Sequence, residues 1–493
     1  MSRRERVESR IPGQQEMFLG GEWRDSSDGA TVDVIDPSTE NVLTKVPKAT
    51  AADIDLAVQR STEAQVGWSR MPWQERAAVL HALGDRVEAE REVLAELDAI
   101  DGGLAYTSMG RDIDNAVAYI RYYASLASEL KGETVQVPGV AFNLTVREPY
   151  GVVGRIVPFN HPLQFAAQAI AAPLAAGNGV VLKPADQTPL SAIKLGELTK
   201  GILPDGLLSV VTGDGATTGH ALVSHPAIRR IGFTGSVETA RIVMRDAAQE
   251  VKALSFELGG KNPMVVFPDA DPDAAASACV QAMNFARCQG QSCGSPSRVF
   301  VHESIRDEFS KRLVVHAKAV QLGDALDEAS MMGPLAFRGH FKRVAGYVET
   351  GKSEGARLLS GGGRPAHLSK GYFLEPTVFS GVTPQMTIAR EEIFGPVIAL
   401  LEWNDLDDVV KRIHELPFGL TANIWTNDLR PALRLAHEIR AGYVQINGRG
   451  QRPFGAPFGG YGISGLGKEN DLSELLSYTQ VKNILVDVPP YDA

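Results

Sequence analysis

One cysteine in a turn of small residues carries the clearest chemical signal of this sequence. Cys293 lies in the run Gly290-Gln291-Ser292-Cys293-Gly294, and the 493 residues contain only three cysteines. Upstream, Glu257 opens the run Glu257-Leu258-Gly259-Gly260-Lys261. A thiol nucleophile and a carboxylate base form a recognised catalytic pair. We therefore expect covalent catalysis on Cys293, provided that the fold brings the two residues together.

Further polar residues follow short apolar runs that are typical of buried strands. The amide of Asn160 either donates to a developing oxyanion or caps the next helix. Lys183 and Asp186 either bind the hydroxyls of a ribose or form a surface salt bridge. His161 has no visible partner, so we assign it no role as a base.

Two strand-to-helix turns offer backbone N–H groups to a phosphate. Residues 212–219 have the glycine spacing G-x-G-x-x-x-G, which misses the standard dinucleotide-binding spacing by one residue. The turn Phe233-Thr234-Gly235-Ser236 adds a hydroxyl. Each is either an anion site or a plain connection.

Alternating strands and helices must position these residues. Residues 51–53 open one amphipathic stretch, and residues 74–100 have a helical periodicity that Asp101-Gly102-Gly103 ends. Helices over 162–176 and 272–287 then alternate with apolar runs, which predicts two tandem Rossmann-type α/β units with parallel sheets. A β-hairpin over 134–146 and a last strand over 479–488 complete the prediction. The strands predicted within the two units are 151–157, 179–183, 209–211, 231–234, 264–267, 298–301, 396–401 and 422–425.

Composition narrows the class of protein. The length predicts two or three domains, and a hydrophobic fraction of 44% is that of an ordinary globular protein. The net charge of −10 argues against nucleic acid or an anionic membrane as a partner. Three cysteines give neither a disulfide framework nor a paired metal site, so no metal is predicted. With no secretory pattern and no apolar membrane span in the sequence, a cytoplasmic protein is expected.

In their order along the chain, the motifs resemble those of the NAD(P)-dependent aldehyde dehydrogenase superfamily. The runs around Glu257 and Cys293 are similar to its two active-site signatures, and the resemblance extends from Phe18 to Lys482. Other matching runs are Pro158-Phe159-Asn160, Lys183-Pro184, Phe233-Thr234-Gly235-Ser236, Glu392-Ile393-Phe394-Gly395-Pro396 and Pro457-Phe458-Gly459-Gly460.

The resemblance implies a catalytic cycle. Cys293 attacks the aldehyde carbonyl, while the Asn160 amide and the Cys293 backbone N–H hold the oxyanion. Loss of hydride to the nicotinamide leaves a thioester on the cysteine, and Glu257 activates the water that hydrolyses it.

The resemblance also implies NAD as the cofactor, with NADP as the alternative. Lys183 and Asp186 would hold the adenosine ribose and Ser236 the pyrophosphate. Glu392 would bind the nicotinamide ribose, and Phe394 would pack by the nicotinamide ring. An acid at position 186 repels a 2′-phosphate and so favours NAD, although glutamate is usual there. The expected cofactor-binding residues are Ile156, Pro158, Phe159, Lys183, Asp186, Gly215, Gly219, Thr234, Gly235, Ser236, Leu258, Glu392 and Phe394.

Two further departures from the family pattern affect the site. Phe159 stands where tryptophan is usual, which removes an indole donor. Ala169 stands where many members have a lysine that relays a proton with an acid, matched here by Glu469. Any such relay must use water or a different residue.

The substrate channel implied by the family positions is polar, because it includes two glutamines. We expect a medium-sized or aromatic aldehyde as the substrate. Arg449 and Arg452 either meet an acidic group of the substrate or lie at the surface, and we favour the surface. The expected channel residues are His161, Gln164, Phe165, Gln168, Ser292, Gly294, Phe454 and Phe458.

Domain boundaries also follow from the resemblance. Residues 1–130 and 150–256 would form the NAD-binding domain and residues 257–476 the catalytic domain. Residues 131–149 and 477–493 would form a small β oligomerisation element that builds a homodimer or homotetramer.

Three alternatives stay open. A CoA-acylating semialdehyde dehydrogenase generally lacks the glutamate base, so Glu257 favours hydrolysis. A catalytically silent structural homologue would not need both Glu257 and Cys293. Cys288 either packs on a helix face or protects the nucleophile by forming a disulfide under oxidation.

Overall fold

Two twisted sheets, each with a parallel centre, organise the chain. A computed structural model describes residues 1–138 and 142–487. The first sheet has the spatial strand order Glu22–Arg24, Met17–Leu19, Leu208–Val210, Gly179–Lys183, Val152–Ile156, Ile228–Thr234, Ala253–Glu257 and Gly465–Leu466. The second has the order Arg357–Ser360, Thr377–Ser380, Val397–Trp403, Arg298–His302, Pro263–Val266, Thr421–Trp425 and Tyr443–Ile446. The predicted pair of α/β units is confirmed.

Helices cover the sheets and connect their strands. The helices are Arg3–Arg10, Ala51–Arg70, Trp73–Ala89, Arg91–Gly102, Tyr106–Leu126, Pro162–Ala175, Leu190–Leu198, His220–Ser224, Val237–Ala247, Pro272–Ala282, Phe285–Cys288, Arg306–Lys318, Arg338–Ser353, Thr387–Arg390, Leu406–His414, Leu429–Glu438 and Leu472–Ser477. Short 3₁₀ turns at Ala127–Glu129 and Ala248–Glu250 and a π turn at Gly215–Gly219 complete the helical segments. Among the described residues, no helix combines the length and apolarity that crossing a membrane requires.

The strand order of the first sheet places a crevice at its carboxyl edge. Val152–Ile156, the earliest of its parallel strands, lies between Gly179–Lys183 and Ile228–Thr234, so the order reverses at this strand. Ligands of open α/β sheets bind where the order reverses, beyond the carboxyl ends of the strands. Asn160 follows Val152–Ile156 directly and therefore stands at this crevice.

The second sheet meets that crevice with its amino edge. Glu257 is the last residue of Ala253–Glu257, at the carboxyl edge of the first sheet. The chain then enters Pro263–Val266, the neighbour of Arg298–His302. Because Cys293 comes shortly before Arg298–His302, it lies at the amino edge of the second sheet. The nucleophile and the carboxylate thus meet across the gap between the two sheets.

Two predicted helices are each split in the structure. The helical stretch predicted over 74–100 breaks at Glu90, which has φ −95° and ψ 16°, and its last helix ends at Gly103 with φ 69°. The helix predicted over 272–287 is interrupted by Asn284, which has the left-handed φ of 55°. Asparagine tolerates this conformation better than most residues, because its short side chain bonds locally. The prediction of an unbroken helix is wrong at both places.

A separate two-stranded sheet joins the middle of the chain to its end. Phe142–Pro149 pairs antiparallel with Thr479–Val486, and Thr134 forms a single bridge to Leu144. The predicted hairpin has its tip, residues 139–141, outside the described residues, as does the last residue of the predicted final strand, Val488.

The helix Pro162–Ala175 carries channel residues on an otherwise apolar body. Its alanine and leucine side chains are buried on all sides, as expected of a helix that is apolar around its whole circumference. Gln164 and Gln168 are buried as well. Buried amides need hydrogen-bond partners, so their presence in this helix indicates a polar cavity beside it.

Candidate active site

The backbone of the nucleophile turn is fixed by close contacts. The amide of Asn262 donates to the carbonyl of Cys293 at 2.7 Å and to that of Ser295 at 3.0 Å. Gly290 has φ 72°, and a Cβ there would lie 2.5 Å from the carbonyl oxygen of Gly395. Only glycine fits this position, which explains the small residues that precede Cys293.

The environment of Cys293 favours the neutral thiol. Burial raises its pKa above the ordinary value, although the guanidinium of Arg452 acts in the opposite direction. The negative charge of Glu392 raises the pKa further. A cysteine in this state needs a base or a bound cation to become a thiolate nucleophile.

Asn160 is oriented toward the nucleophile turn. Its Nδ2 donates to the carbonyl of Gln291 at 2.7 Å, and the side chain is buried. Because a carbonyl can only accept, this contact fixes which way the amide points. The amide has a second N–H, which remains for an oxyanion formed beside Cys293. The side-chain oxygen of Asn160 has no hydrogen-bond partner among the described residues.

Glu257 lies in a pocket that glycine makes possible. A Cβ on Gly459 would lie 2.5 Å from the Oε1 of Glu257, so the carboxylate occupies the space that this glycine leaves. Among the described residues, no group hydrogen-bonds to this Oε1. Burial raises the pKa of Glu257 well above its usual value, and the charge of Glu469 adds to the effect. A carboxyl with a raised pKa is suited to general-base catalysis near neutral pH.

Glu469 is held by a glutamine and an arginine. The Nε2 of Gln168 donates to it at 2.8 Å, and the Nη2 of Arg155 lies 3.3 Å away. Ala169, next to Gln168, is fully buried and contributes no polar group. The partners of the acid are therefore a neutral amide and a guanidinium, which position Glu469 but do not exchange a proton with it near neutral pH.

Most of the predicted channel residues line one cavity together with Cys293, Glu257 and Asn160. His161, Gln164, Phe165, Gln168, Ser292, Phe454 and Phe458 belong to this set. Gly294 does not, because it lies on the other side of the turn, beside Thr421. The roles of these residues in substrate binding remain a prediction.

A network around Asp112 forms one wall of the cavity. Its carboxylate contacts the Nδ1 of His161 at 2.6 Å and accepts from the Nε of Arg287 at 2.5 Å. The Oε1 of Gln164 accepts from Arg287 at 2.7 Å and from Asn115 at 2.9 Å. His161 therefore has a partner that the sequence did not reveal. Burial lowers the pKa of this histidine.

The residues predicted to hold the adenosine ribose lie at the carboxyl edge of the first sheet. Lys183 is buried, and its Nζ donates to the carbonyl of Pro184 at 3.0 Å. Burial lowers the pKa of Lys183, while the nearby charge of Asp186 acts against that change. An ammonium with donors to spare beside a carboxylate suits the hydroxyls of a ribose, and this geometry fits a dinucleotide.

The two glycine-containing turns, residues 233–236 and 212–219, differ in their local contacts. Ser236 caps the helix Val237–Ala247, since its Oγ accepts from the N–H of Thr239 at 3.2 Å. The N–H of Gly235 donates to the carbonyl of Glu257 at 3.1 Å. In the other turn, a Cβ on Gly219 would lie 3.9 Å from the stem of Lys183. Ser236 is exposed.

An aromatic cluster surrounds Phe159. Its ring is 5.4 Å from that of Phe337 and 5.8 Å from that of Phe394, both nearly perpendicular to it. The Nε2 of His340 donates to the carbonyl of Phe394 at 2.7 Å. Glu392 contacts the segment after Glu257, because its Oε1 accepts from the N–H of Gly260 at 3.0 Å, and burial raises its pKa to about 7.

Several cavity residues were missed from the sequence. The cavity also contains Arg452, which we had expected at the surface, whereas Arg449 does not line it. For the missed residues, the only signal in the sequence is a polar residue on the buried face of a helix, as at Asp112 and Asn115. The other missed lining residues are Arg111, Tyr119, Asn284, Arg287, Gly450 and Asn470.

Comparisons with known proteins agree with the geometry. The model of the Aldehyde dehydrogenase family matches residues 23–484. A hydroxyisobutyraldehyde dehydrogenase from Mycolicibacterium austroafricanum is 42% identical over 97% of this chain and 94% of its own length. The NAD+ complex of an aldehyde dehydrogenase from Bacillus cereus has a TM-score of 0.95 at 39% identity, with 98% of each chain covered. A betaine aldehyde dehydrogenase from Staphylococcus aureus, in complex with NAD+, has a TM-score of 0.95 at 32% identity over 99% of this chain and 98% of its own. The chain therefore belongs to the aldehyde dehydrogenase family.

Proposed function

We propose that this protein oxidises an aldehyde to a carboxylic acid with NAD as the hydride acceptor, through a thioester on Cys293. The observation that carries the proposal is that Cys293, Asn160 and Glu257 line one cavity between the two sheets. Each has an environment that suits its step. Cys293 lies in a small-residue turn, the amide of Asn160 is fixed, and Glu257 is a buried carboxyl with a raised pKa.

In the first half of the reaction, the thiol of Cys293 loses its proton to water, and its Sγ adds to the aldehyde carbon and forms a thiohemiacetal. The negative charge on the former carbonyl oxygen is met by the free N–H of Asn160 and by the backbone N–H of Cys293. Bound NAD supplies the acceptor for the hydride that leaves this carbon. The product on the enzyme is a thioester.

In the second half, water adds to the thioester and the cysteine leaves as a thiol. Glu257, when ionised, accepts the proton of that water, and such help typically contributes about 10²–10⁴-fold. A base in this position favours hydrolysis over transfer to CoA. The pairing of Glu257 with Cys293 also disfavours a silent homologue.

NAD is the cofactor that the residues fit better. Asp186 stands three positions after Lys183 at the carboxyl edge of the first sheet, and its charge would repel a 2′-phosphate. Two relatives with TM-scores of 0.95 were solved with NAD+. We therefore expect a higher kcat/KM for NAD than for NADP.

The substrate is a medium-sized or aromatic aldehyde. The names of the relatives, a hydroxyisobutyraldehyde and a betaine aldehyde dehydrogenase, describe branched or substituted aldehydes. Steady-state kcat/KM for acetaldehyde, hexanal, benzaldehyde, betaine aldehyde and succinic semialdehyde tests this point. A preference for acetaldehyde would contradict the expected size.

Stopping the second half of the reaction tests the mechanism. Glu257→Gln is expected to release a burst of about one NADH per site and then turn over about 10²–10⁴-fold more slowly, because only hydrolysis needs the base. Intact-mass measurement should find the acyl group on Cys293. Cys293→Ala should give neither burst nor adduct.

The control for that experiment is Cys279→Ala, which removes a thiol buried outside the cavity. In the Glu257→Gln background it should leave the adduct in place. A steady-state rate of Glu257→Gln equal to that of the wild type would contradict the assigned base. Acceleration of the wild type by CoA, with acyl-CoA as the product, would favour the acylating alternative.

A further inference from the structure

Three arginines line the cavity that contains Cys293. Arg111 belongs to the helix Tyr106–Leu126, Arg287 to the short helix Phe285–Cys288, and Arg452 to the segment after the strand Tyr443–Ile446. Arginine is the side chain that best matches planar anions, since its donors form a fixed fork. A channel for a plain hydrocarbon aldehyde would have no use for three such groups.

Only one of the three arginines has its charge balanced by the protein. Arg287 contacts the carboxylate of Asp112 at 2.5 Å, and this carboxylate also serves His161. Within residues 1–138 and 142–487, neither Arg111 nor Arg452 has a carboxylate oxygen within the 4.0 Å of an ion pair. Within the described residues, two exposed guanidinium groups therefore face the cavity without an ion-pair partner.

The acidic residues of the cavity do not compensate for these charges. Burial raises the pKa of Glu257 well above its usual value, which favours the neutral form of this carboxyl. Glu469 is engaged by Arg155 at 3.3 Å and by Gln168 at 2.8 Å. The electrostatic field in the channel is consequently that of an anion-binding site.

Arg452 is held in position beside the nucleophile. Its guanidinium carbon lies 3.9 Å from the centroid of the Phe458 ring, a cation–π contact that orients the head group. A Cβ on Gly294 would overlap the guanidinium, so this glycine makes room for the arginine next to Cys293. Gly294, which does not line the cavity, thus affects it through Arg452.

We propose that the enzyme selects aldehydes whose other end carries a carboxylate, and that Arg111 and Arg452 bind this carboxylate. The inference rests on the proposed function, because it names the substrate class of the same site. A carboxylate accepts from a guanidinium fork through two parallel hydrogen bonds, which a neutral chain of equal length cannot do. The substrate class is that of semialdehydes, and the product is a dicarboxylic acid.

Matched pairs of aldehydes test the proposal with the wild-type enzyme. Succinic, glutaric and adipic semialdehydes are compared with butanal, pentanal and hexanal, which have the same chain lengths without the charge. In at least one pair, kcat/KM is expected to be about tenfold or more higher for the acid, as for a hydrogen bond to a charged group. The advantage should shrink as ionic strength rises.

Single substitutions assign the advantage to the two arginines. Arg111→Gln and Arg452→Gln should each lower the acid-to-neutral ratio of kcat/KM about tenfold or more, mainly through KM of the acid. The ratio is the readout because Arg452 also affects the Cys293 thiol, and that effect is common to both substrates. Arg452→Lys should restore the ratio only in part. Arg449→Gln, an exposed arginine outside the cavity, is the matched control and should keep the wild-type ratio.

The outcomes separate the two proposals. Oxidation of neutral aldehydes with equal or higher kcat/KM in all three pairs would overturn the carboxylate site and leave the dehydrogenase function standing. A ratio that the Gln variants do not change would overturn it as well. A stronger preference for glyceraldehyde 3-phosphate than for the semialdehydes would replace the carboxylate by a phosphate. Failure to oxidise any aldehyde would instead overturn the proposed function.

Discussion

At the scale of single residues, Glu257 lies between charges of opposite sign. Glu469 raises its pKa, whereas the ammonium of Lys468 lowers it. Burial is the largest contribution and also acts upward. Because the base works only when ionised, hydrolysis of the thioester should be lost as the pH falls through this raised pKa. The acid limb of kcat should therefore lie at a higher pH than for an exposed glutamate.

Neighbouring substitutions should move this acid limb in opposite directions. Glu469→Gln removes a negative charge, so the pKa of Glu257 should fall and the limb should shift to lower pH. Lys468→Met removes a positive charge, so the limb should shift to higher pH. The pH profile of kcat for both variants, under conditions where hydrolysis limits the rate, measures the shifts. Two profiles that coincide with that of the wild type would show that another group titrates.

The catalytic residues were predictable from the sequence for a simple reason. Cys293 and Glu257 each lie in a short run whose glycines are needed locally, so the motif and the chemistry coincide. Asp112 has no such run, and its contacts with His161 and Arg287 join distant parts of the chain. Arg452 is exposed, as expected, but its place in the cavity could not be predicted for the same reason. An arginine between a surface loop and a cavity has no distinguishing neighbours in the sequence.

At the scale of elements, one helix supports the starts of two others. The Oδ2 of Asp98 accepts from the N–H of Leu163 at 3.2 Å, and that of Asp101 from the N–H of Leu190 at 3.1 Å. The helices that begin there have no side-chain cap of their own. Buried carboxylates on Arg91–Gly102 thus act as remote caps. One of these helices carries the channel glutamines, so the caps position part of the site.

Removing one remote cap should destabilise the protein measurably. Asp98→Ala is expected to cost roughly 1–2 kcal/mol, since a buried N–H loses its acceptor. Asp98→Asn should cost less, because its side-chain oxygen still accepts. The thermal midpoint, measured by differential scanning fluorimetry, provides the comparison, with exposed Glu75→Ala as the control.

The difference in thermal midpoint between Asp98→Asn and the wild type should change with pH in a defined direction. Burial raises the pKa of Asp98 to about 7 in the folded protein. The unfolded value is about 3.9, so the contribution of this group to stability is present at low pH and is lost as the pH rises through about 7. Asp98→Asn does not titrate, and its midpoint should gain on that of the wild type between about pH 4 and pH 7 and then level off. A constant difference over this interval would contradict the raised pKa.

The strands were predicted more accurately than the helix breaks. Apolar runs such as 179–183 match a strand of the structure because a parallel strand is buried on both faces. The break at Asn284 could not be predicted from periodicity, since apolar residues continue on both sides of it. Tertiary contacts decide this position: the amide of Asn284 donates to the hydroxyl of Ser292 at 3.3 Å, in the nucleophile turn.

At the scale of the whole molecule, the two-stranded sheet is poorly covered by its own chain. Phe142 is 61% exposed, Val481 57% and Leu485 54%. A two-stranded sheet is marginally stable alone, and among the described residues no strand pairs with the outer edge of Thr479–Val486. We therefore propose that a second copy of the chain covers this sheet, as the oligomerisation element expected from the sequence would require.

Charges placed on one face of this sheet should separate the subunits. Val481 and Leu485 are four positions apart on the strand Thr479–Val486 and so point to the same face. The double variant Val481→Lys/Leu485→Lys should shift the mass measured by light scattering from that of an oligomer toward that of a single chain. Leu429→Lys/Leu433→Lys changes two exposed leucines of a surface helix and should leave the mass unchanged. A wild-type enzyme with the mass of one chain, or a sheet variant that stays assembled, would show that subunits do not associate through this face.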